Sequence, residues 1–302
     1  MGLRSLARRL RGDGDPLAAV DDRTFVDLAY RFLLGRPADE HGLRHFEGRL
    51  TQGVISRPAL LSTLIDSQEF SRSRLYTNLG TSIHEGRARF VRGLPPAKRI
   101  VDLGGSCQGS RKGAMVELGY PYRFERLTIV DLPEGQRHEL YRTDHGPEGS
   151  TVETERGPVD YLYQSMTTLE PLAAESVDLA YSGQSIEHVT VPDAQRVYAE
   201  VLRVLKPGGL FALDTPNARI TRLQQDAFID PDHKHEYTHE ELSRALRTAG
   251  FEILDAKGIN YAGPIQARAE FSETAVAGNC GLYAALEDCY ILAYACRKPT
   301  AR

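Results

Sequence analysis

The 302-residue sequence contains no tryptophan, only three methionines and four cysteines, and no long uninterrupted apolar run. The cysteines include no Cys-x-x-Cys pair, which is the usual spacing in redox and zinc sites. No signal-peptide pattern is present. A formal net charge of −4 gives no electrostatic reason to expect a nucleic-acid partner. These absences predict a cytoplasmic protein with reduced cysteines that does not bind nucleic acid.

The remaining composition is that of an ordinary globular protein, with 41% hydrophobic and 26% charged residues. The length accommodates one large domain and one small domain. The N-terminal segment is the exception, because arginines and leucines alternate there at helical spacing. We interpret residues 1–20 as a basic arm, which either contacts an anionic membrane surface peripherally or is a solvated terminus.

Residues 23–74 carry apolar side chains at every third or fourth position, as in Phe25, Leu28 and Phe32. This periodicity predicts a small all-helical domain over residues 21–76. The segments LLGRPADEHGLRHF and SQEF resemble a bacterial helical domain of unknown function, whose relatives often accompany enzymes of polysaccharide assembly. The resemblance implies an interaction or targeting role for this domain and supplies no catalytic residue.

From about residue 99 onward, short β-branched runs alternate with helical stretches, a pattern typical of a parallel sheet with crossover helices. Six strands are predicted directly, over residues 99–103, 127–131, 177–182, 210–214, 251–259 and 290–296. The predicted fold class is therefore α/β. We expect a Rossmann-like seven-stranded sheet over residues 77–302, joined to the small helical domain.

A glycine-rich turn follows the first predicted strand, in the segment RIVDLGGSCQGS. Gly104 and Gly105 would let a ligand approach the backbone, as also happens in dinucleotide-binding proteins and phosphate-binding loops. Asp102 precedes the turn, where its carboxylate can meet a cationic amine such as the α-amino group of methionine but would repel a pyrophosphate. Asp131 ends the next strand, where an acid can bind both hydroxyls of a ribose.

The order of the segments after this turn resembles class I S-adenosylmethionine-dependent methyltransferases of the small-molecule and sugar O-methyltransferase type. SVDLAYSGQSIEHV, EVLRVLKPGGLFALDTPN and EYTHEELSRALRTAGFEI carry the resemblance, which covers roughly residues 87–298. It implies S-adenosylmethionine as the cofactor. The positions it assigns to cofactor binding are Asp102, Gly104, Gly105, Ser106, Asp131, Leu132, Ser165, Met166 and Ser182.

This sequence departs from the family pattern at several of those positions. The family turn reads D-x-G-x-G-x-G, and Ser106 and Gln108 replace its second and third glycines. A one-residue shift to Gly109 would compensate. The adenine-contacting acid of the family is also absent, and Ser165 takes its place beside Met166.

Two segments rich in histidine follow predicted strand ends, where doubly wound sheets bind ligands. Methyl transfer to a hydroxyl needs a positioned acceptor and a base that removes its proton. His188, in QSIEH, is our first candidate for that base, and His235, in DPDHKHEYT, is the second. A structural role is equally open for both segments, as a turn cap or as a helix-capping box of Thr238 with Glu241.

Glu187 and His188 are also candidate ligands of a divalent cation such as Mg²⁺. Some quinone-pathway O-methyltransferases place a metal at an E-x-x-E-H segment in this location, and Gln184 stands here in place of the first carboxylate. Asp232, His233 and other residues of the second segment could join such a site.

Together these features predict an S-adenosylmethionine-dependent O-methyltransferase that modifies a hydroxyl of a sugar, oligosaccharide or glycolipid precursor. The acceptor prediction depends on two resemblances. Relatives of the helical domain often accompany enzymes of polysaccharide assembly, and the segments LDTPN and HKHEYT resemble those of glycan methyltransferases. Two alternatives stay open, an NAD-type oxidoreductase, favoured by the Gly104 to Gly109 spacing, and a catalytically silent methyltransferase-fold scaffold. A homo-oligomer is a further expectation.

Overall fold

The computed structural model describes residues 20–34, 37–65, 67, 79–107, 110–138, 149–263 and 271–300. It divides into two compact units, Met1–Thr77 and Asn78–Arg302. Residues 1–19 of the predicted basic arm, the last three residues of the SQEF segment, and Gln108 and Gly109 lie outside the described residues. In the described part of the chain, no helix is long and apolar enough to cross a membrane.

Three helices form the described part of the first unit: α1 (Asp22–Leu34), α2 (Glu40–Thr51) and α3 (Arg57–Ile65). Their apolar stripes meet in a small core of Phe25, Val26, Ala29, Tyr30, Leu34, Leu60 and Leu64. Asp39 caps α2 by accepting a 2.8 Å hydrogen bond from the Gly42 N–H. Arg57 joins α3 to α1 through a 2.8 Å ion pair with Asp22. The helical periodicity of the sequence therefore corresponds to real helices.

The second unit contains a nine-stranded mixed sheet in the order β3-β4-β2-β1-β5-β6-β9-β7-β8. The strands are β1 (Arg99–Leu103), β2 (Arg126–Asp131), β3 (Thr151–Glu153), β4 (Pro158–Tyr163), β5 (Val177–Gly183), β6 (Leu205–Pro216), β7 (Glu252–Tyr261), β8 (Leu282–Tyr283) and β9 (Cys289–Arg297). Strands β1, β2, β4, β5 and β6 are parallel, and the other four run antiparallel to their neighbours. The predicted count of seven strands was wrong, because β3 and β8 at the two edges are too short to give an alternating pattern.

In the described residues, six helices accompany this sheet: α4 (Leu79–Arg92), α5 (Ala114–Glu117), α6 (Val191–Val204), α7 (Ala218–Gln224), α8 (His239–Ala249) and α9 (Glu273–Gly278). Helix α4 packs Phe90 and Val91 into one apolar core, and α6 packs Val197 and Val201 into another. In β1, Ile100 belongs to the first core, whereas its neighbour Val101 belongs to the second. Alternate residues of the strand therefore face opposite layers, as expected for a sheet with helices on both faces.

Helix α5 is short, since only Ala114–Glu117 is helical after the glycine turn. Gly113, with a φ of 84°, and Gly119, with a φ of 87°, adopt left-handed backbone conformations on either side. Such residues interrupt the right-handed helix, and their glycines permit this without a steric penalty.

The parallel strands bring their carboxyl ends to one edge of the sheet. The chain reverses its direction of strand addition between β1 and β5, since β2 and β4 lie on one side of β1 and β5 and β6 on the other. A crevice forms outside the strand ends at such a switch point. The glycine turn after β1 and the QSIEH segment after β5 therefore face the same space.

Candidate active site

A cavity of about 690 Å³ occupies this crevice. The glycine turn and the ends of β2 and β4 contribute Gly104, Ser106, Asp131, Leu132, Ser165 and Met166 to its lining. Helix α4 and the segments that follow β5 and α7 contribute His84, Arg87, Gln184, His188, Asp232 and Lys234. Pockets for drug-sized ligands run to about 300–1,000 Å³, so this cavity has room for a cofactor together with part of an acceptor.

Six of the nine cofactor-binding candidates line the cavity, and the other three lie behind its wall. Ser182 is fully buried, and its hydroxyl lies 2.6 Å from that of Ser185. Gly105 packs directly on the Asp102 side chain, since a Cβ atom at Gly105 would lie 2.3 Å from the Asp102 Cγ. Glycine is required at this position because of that close approach.

The carboxylate of Asp102 packs against the glycine turn at Gly105. It is 1% exposed, and its Oδ2 accepts a 3.2 Å hydrogen bond from the Met115 N–H at the start of α5. Its Oδ1 is buried and has no hydrogen-bond partner. Burial raises the pKa of Asp102 from 3.8 to about 7. Ionisation of the Asp102 carboxyl therefore costs free energy unless a cation lies close to it.

This shift makes stability depend on the ionisation of Asp102. The pKa of Asp102 is about 7 in the folded protein, and its reference value of 3.8 applies to the unfolded chain. Between these pH values, the folded protein therefore keeps a proton on Asp102 that the unfolded chain has lost. The free energy of unfolding therefore falls as the pH rises from about 4 to about 7. We expect Asp102→Asn to match the wild type at pH 4 and to be more stable by about 4 kcal/mol at pH 8.

Urea denaturation of the cofactor-free protein at the two pH values measures this difference. Glu153→Gln is the matched control, since it removes an exposed carboxylate and leaves the Asp102 contribution in place. A lower stability of Asp102→Asn at pH 8 would contradict the assignment.

Asp131 connects β2 to the glycine turn. Its Oδ1 accepts a 2.7 Å hydrogen bond from the Leu132 N–H, and its Oδ2 accepts one of 3.3 Å from the Ser106 N–H. The Ser106 N–H thus holds the Asp131 carboxylate in place, although serine replaces the family glycine at this position. Arg137 lies 3.5 Å away through its Nε. The carboxylate is held in place at the cavity surface with acceptor capacity to spare.

Arg87 is a cavity residue that the sequence analysis did not identify. It lies on α4, where its Nε donates a 2.6 Å hydrogen bond to Asp214 Oδ1 at the end of β6. Gln184 donates to the same oxygen at 2.9 Å, and the Tyr181 hydroxyl donates to the other oxygen of Asp214. Burial opposes the positive charge of Arg87, but its charge interactions and hydrogen bonds with Asp214 and Tyr181 together outweigh burial and raise the Arg87 pKa. No motif marks Arg87, since α4 carries three arginines at similar positions in a short stretch.

His188 faces the cavity, whereas His235 does not line it. The His188 Nδ1 lies 3.1 Å from Asp232 Oδ2. Burial lowers the His188 pKa, and the neighbouring His233 lowers it further, against the opposing effect of Asp232. The neutral imidazole is therefore favoured near pH 7, as a base requires. His235 packs its ring edge-on against Tyr237, with ring centroids 4.4 Å apart.

Glu187, His188 and His233 place one potential ligand atom each within 4.8 Å of one another. Glu187 is fully buried; its Oε2 accepts a 2.9 Å hydrogen bond from the Thr215 hydroxyl, and its Oε1 has no partner. Burial raises the Glu187 pKa to about 7. The His233 Nδ1 lies 2.7 Å from Glu236, the arrangement that orients a metal-binding imidazole. One carboxylate and two imidazoles form a donor set suited to a divalent transition metal more than to Mg²⁺.

The second histidine-rich segment also has the structural role that we considered. Thr238 caps α8 by accepting from the Glu241 N–H, and the Glu241 side chain accepts from the Thr238 N–H. This capping box fixes the start of α8. The same segment therefore serves the fold at Thr238 and contributes Asp232 to the cavity.

Comparison with known proteins bears on both units. Residues 105–213 match the family model described as a methyltransferase domain, and residues 16–74 match that of a domain of unknown function. A Mycolicibacterium smegmatis protein named "Probable S-adenosylmethionine-dependent methyltransferase" is 38% identical over 101 residues, which are 33% of this chain and 38% of that protein. The chain thus matches about two fifths of the length of that relative.

Two further proteins are similar over longer stretches. A ubiquinone biosynthesis O-methyltransferase of Xanthomonas axonopodis pv. citri is 28% identical over 181 residues, which are 55% of this chain and 68% of that protein. A solved S-adenosylmethionine-dependent methyltransferase structure from Thermotoga maritima has 18% identity and a TM-score of 0.48, covering 76% of this chain and 94% of that one. Residues 105–213 thus match a methyltransferase domain, and S-adenosylmethionine is the cofactor that the name of the Mycolicibacterium smegmatis relative gives.

Proposed function

We propose that this protein transfers a methyl group from S-adenosylmethionine to a hydroxyl of a sugar, oligosaccharide or glycolipid precursor. The observation that carries the proposal is the single cavity that the glycine turn, Asp131 and His188 share. Cofactor-binding candidates and a candidate base that line one space are what methyl transfer to oxygen needs.

The residues present fit the cofactor. Asp131 offers an acceptor for the ribose hydroxyls, and the buried Ser106 hydroxyl has no hydrogen-bond partner in the structure. Arg87 provides a guanidinium at the cavity surface, suited to the carboxylate of the methionine moiety. The cofactor, when bound, supplies an electrophilic methyl group. The residues of the protein position the acceptor and take up its proton.

The acceptor class is supported less directly than the cofactor. Curated relatives are named for sterol, ubiquinone and dimethylglycine methylation, so their names indicate no common acceptor. An oxygen acceptor is supported by His188, whose neutral form can remove a hydroxyl proton. A sugar is supported by the N-terminal domain, whose relatives often accompany polysaccharide enzymes.

The test is methyl transfer from S-adenosylmethionine labelled in its methyl group into a cell extract, followed by mass identification of the labelled product. We expect an O-methylated sugar or glycolipid. A product labelled on nitrogen or carbon would contradict the acceptor proposal while leaving methyl transfer intact. Cofactor binding with no transfer to any component would favour the scaffold alternative.

We also propose that Glu187, His188 and His233 hold a divalent metal ion. When bound, such an ion would act as a Lewis acid toward an acceptor oxygen. A His188 that ligates a metal cannot also serve as the free base, so the two roles of His188 exclude each other.

Metal removal distinguishes these roles. If the metal site operates, a protein stripped with EDTA and verified by elemental analysis loses most of its transfer rate and recovers it when Zn²⁺ or Mn²⁺ is added. If the initial rate is unchanged after verified stripping, the metal proposal fails and His188 acts as the base. His233→Ala is the matched variant, because it should mimic stripping only in the first case.

A further inference from the structure

A groove of about 560 Å³ is lined by helix α8 and by the antiparallel strands β7 and β9. None of its lining residues belongs to the cavity described above. The strands and the turn before β9 contribute Ile253, Ala256, Leu286 and Tyr294 to the lining, whereas α8 contributes polar and charged side chains. The groove therefore combines an apolar part with a polar part, and the proposed methyl transfer does not use it.

Two arginines of α8, Arg244 and Arg247, line this groove and are exposed, and we call them the groove arginines. They are three residues apart and are therefore neighbours on one face of the helix. In the part of the chain that the structure describes, neither side chain forms a hydrogen bond or an ion pair. Burial raises the pKa of Tyr294, and the positive charge of Arg247 opposes this rise. The Arg247 charge is therefore close enough to the Tyr294 hydroxyl to act on it.

The carboxylates of the same elements interact with other side chains. Of the described residues that line the groove, Glu240 carries the one carboxylate, and its Oε2 lies 3.2 Å from His239 Nδ1. On β7, Glu252 forms a 2.7 Å ion pair with Arg297. Because these acids have other partners, the groove arginines stay available to an anion from outside the protein.

Hydrogen bonds between α8 and β9 hold the groove in shape. The Tyr294 hydroxyl donates a 3.1 Å hydrogen bond to the His239 carbonyl oxygen and lies 2.8 Å from the Ser243 hydroxyl. Tyr294 is fully buried on β9, whereas His239 and Ser243 belong to α8. These bonds fix the helix against the strand, so the groove is formed before any ligand binds, as is usual for small-molecule sites.

We propose that this groove is a second ligand site, which binds the phosphate of an alkyl phosphate ester at the groove arginines and its alkyl group at Ile253, Ala256 and Leu286. A guanidinium donates parallel N–H bonds that match the oxygens of a phosphate. Moving the alkyl group out of water onto apolar side chains adds a favourable contribution. Soluble alkyl phosphates and phospholipids share this chemistry, and the experiment below distinguishes them.

The experiment titrates methyl, butyl and hexyl phosphate into the full chain by calorimetry. Affinity should rise roughly fourfold for each CH₂ group that becomes buried. Arg244→Met/Arg247→Met should bind hexyl phosphate about 100-fold more weakly than the wild type, because charge-assisted hydrogen bonds are lost at both positions. Arg244→Lys/Arg247→Lys keeps the charges but loses the planar forks, so we expect an intermediate affinity.

Arg99→Met/Arg123→Met is the matched control, because it removes the same net charge at two exposed arginines that do not line the groove. It should bind hexyl phosphate as the wild type does. Thermal unfolding of the ligand-free proteins checks the fold. Since all four arginines are exposed, we expect each variant to unfold within about 2 °C of the wild-type Tm.

Cosedimentation with phosphatidylcholine vesicles, with and without phosphatidic acid, identifies the source of the ligand. If the ligand is a membrane lipid, the wild type should bind the vesicles that contain phosphatidic acid more tightly than Arg244→Met/Arg247→Met does. If the ligand is soluble, the two proteins should bind these vesicles equally while differing in their affinity for hexyl phosphate.

Any of three results would overturn the proposal. The first is equal affinity of the wild type and Arg244→Met/Arg247→Met for hexyl phosphate, including no binding by either. The second is an equal loss of affinity in Arg99→Met/Arg123→Met, which would indicate attraction by net charge alone. The third is an affinity that does not rise from methyl to hexyl phosphate. None of these measurements involves S-adenosylmethionine, so they are independent of the proposed methyl transfer.

Discussion

His188→Ala is expected to lower kcat for methyl transfer by about 10²- to 10⁴-fold, the usual contribution of a positioned acid or base. The affinity for S-adenosylhomocysteine should stay unchanged, because His188 belongs to the segment after β5 and not to the glycine turn or the end of β2, where the cofactor-binding candidates cluster. Steady-state rates with the identified acceptor, together with calorimetric titration of S-adenosylhomocysteine, measure the two quantities.

His235→Ala is the matched control for this experiment. His235 lies in the same segment as Asp232 but does not line the cavity, and we expect it to keep its turnover. Full turnover by His188→Ala would remove His188 from the chemistry. Equal losses in both variants would indicate a disturbed segment and not a lost catalytic group.

Arg87→Met should destabilise the protein by about 3–5 kcal/mol, the range for removing one partner of a buried ion pair. Asp214 is 0% exposed and faces Arg87 across 2.6 Å, so the variant leaves a buried carboxylate without its cation. Urea denaturation at pH 7, monitored by circular dichroism, measures the change.

Arg89→Met is the control for Arg87→Met, on the same helix. Arg89 pairs with Glu85 at 3.1 Å, but both side chains are about 40% exposed, and pairs of that kind contribute at most about 1 kcal/mol. An unchanged denaturation midpoint for Arg87→Met would show that the Arg87–Asp214 pair does not hold α4 against β6.

Much of the fold could be predicted because local pattern and burial agree along the chain. The buried strands β1, β2 and β5 are short apolar runs, each found within one residue of its predicted bounds. The edge strands β3 and β8 escaped prediction because two or three residues carry no periodicity. Strand β6 begins five residues earlier than predicted, at Leu205, because pairing with Val177 overrides the turn preference of Pro207 and the glycines after it.

The candidate site could be predicted where a motif fixes the backbone. Gly104 and Asp131 reach the cavity because the turn and the strand end place them there. Asp102 takes a different position from the one that we expected, because the turn folds over its carboxylate.

Residues that reach the cavity through tertiary packing gave no such signal. Arg87 depends on how α4 packs against the end of β6, where Asp214 lies. His233 joins His188 only because the segment after α7 returns over the end of β5. No local spacing in the sequence predicts these tertiary contacts.

Thermal unfolding of the full chain with S-adenosylhomocysteine and with NAD⁺, in parallel, tests whether the glycine turn and Asp131 bind S-adenosylmethionine. At a concentration one hundred times its Kd, S-adenosylhomocysteine should raise the Tm by about 5 °C or more, and NAD⁺ should leave the Tm unchanged. Stabilisation by NAD⁺ and none by S-adenosylhomocysteine would contradict S-adenosylmethionine binding at this site.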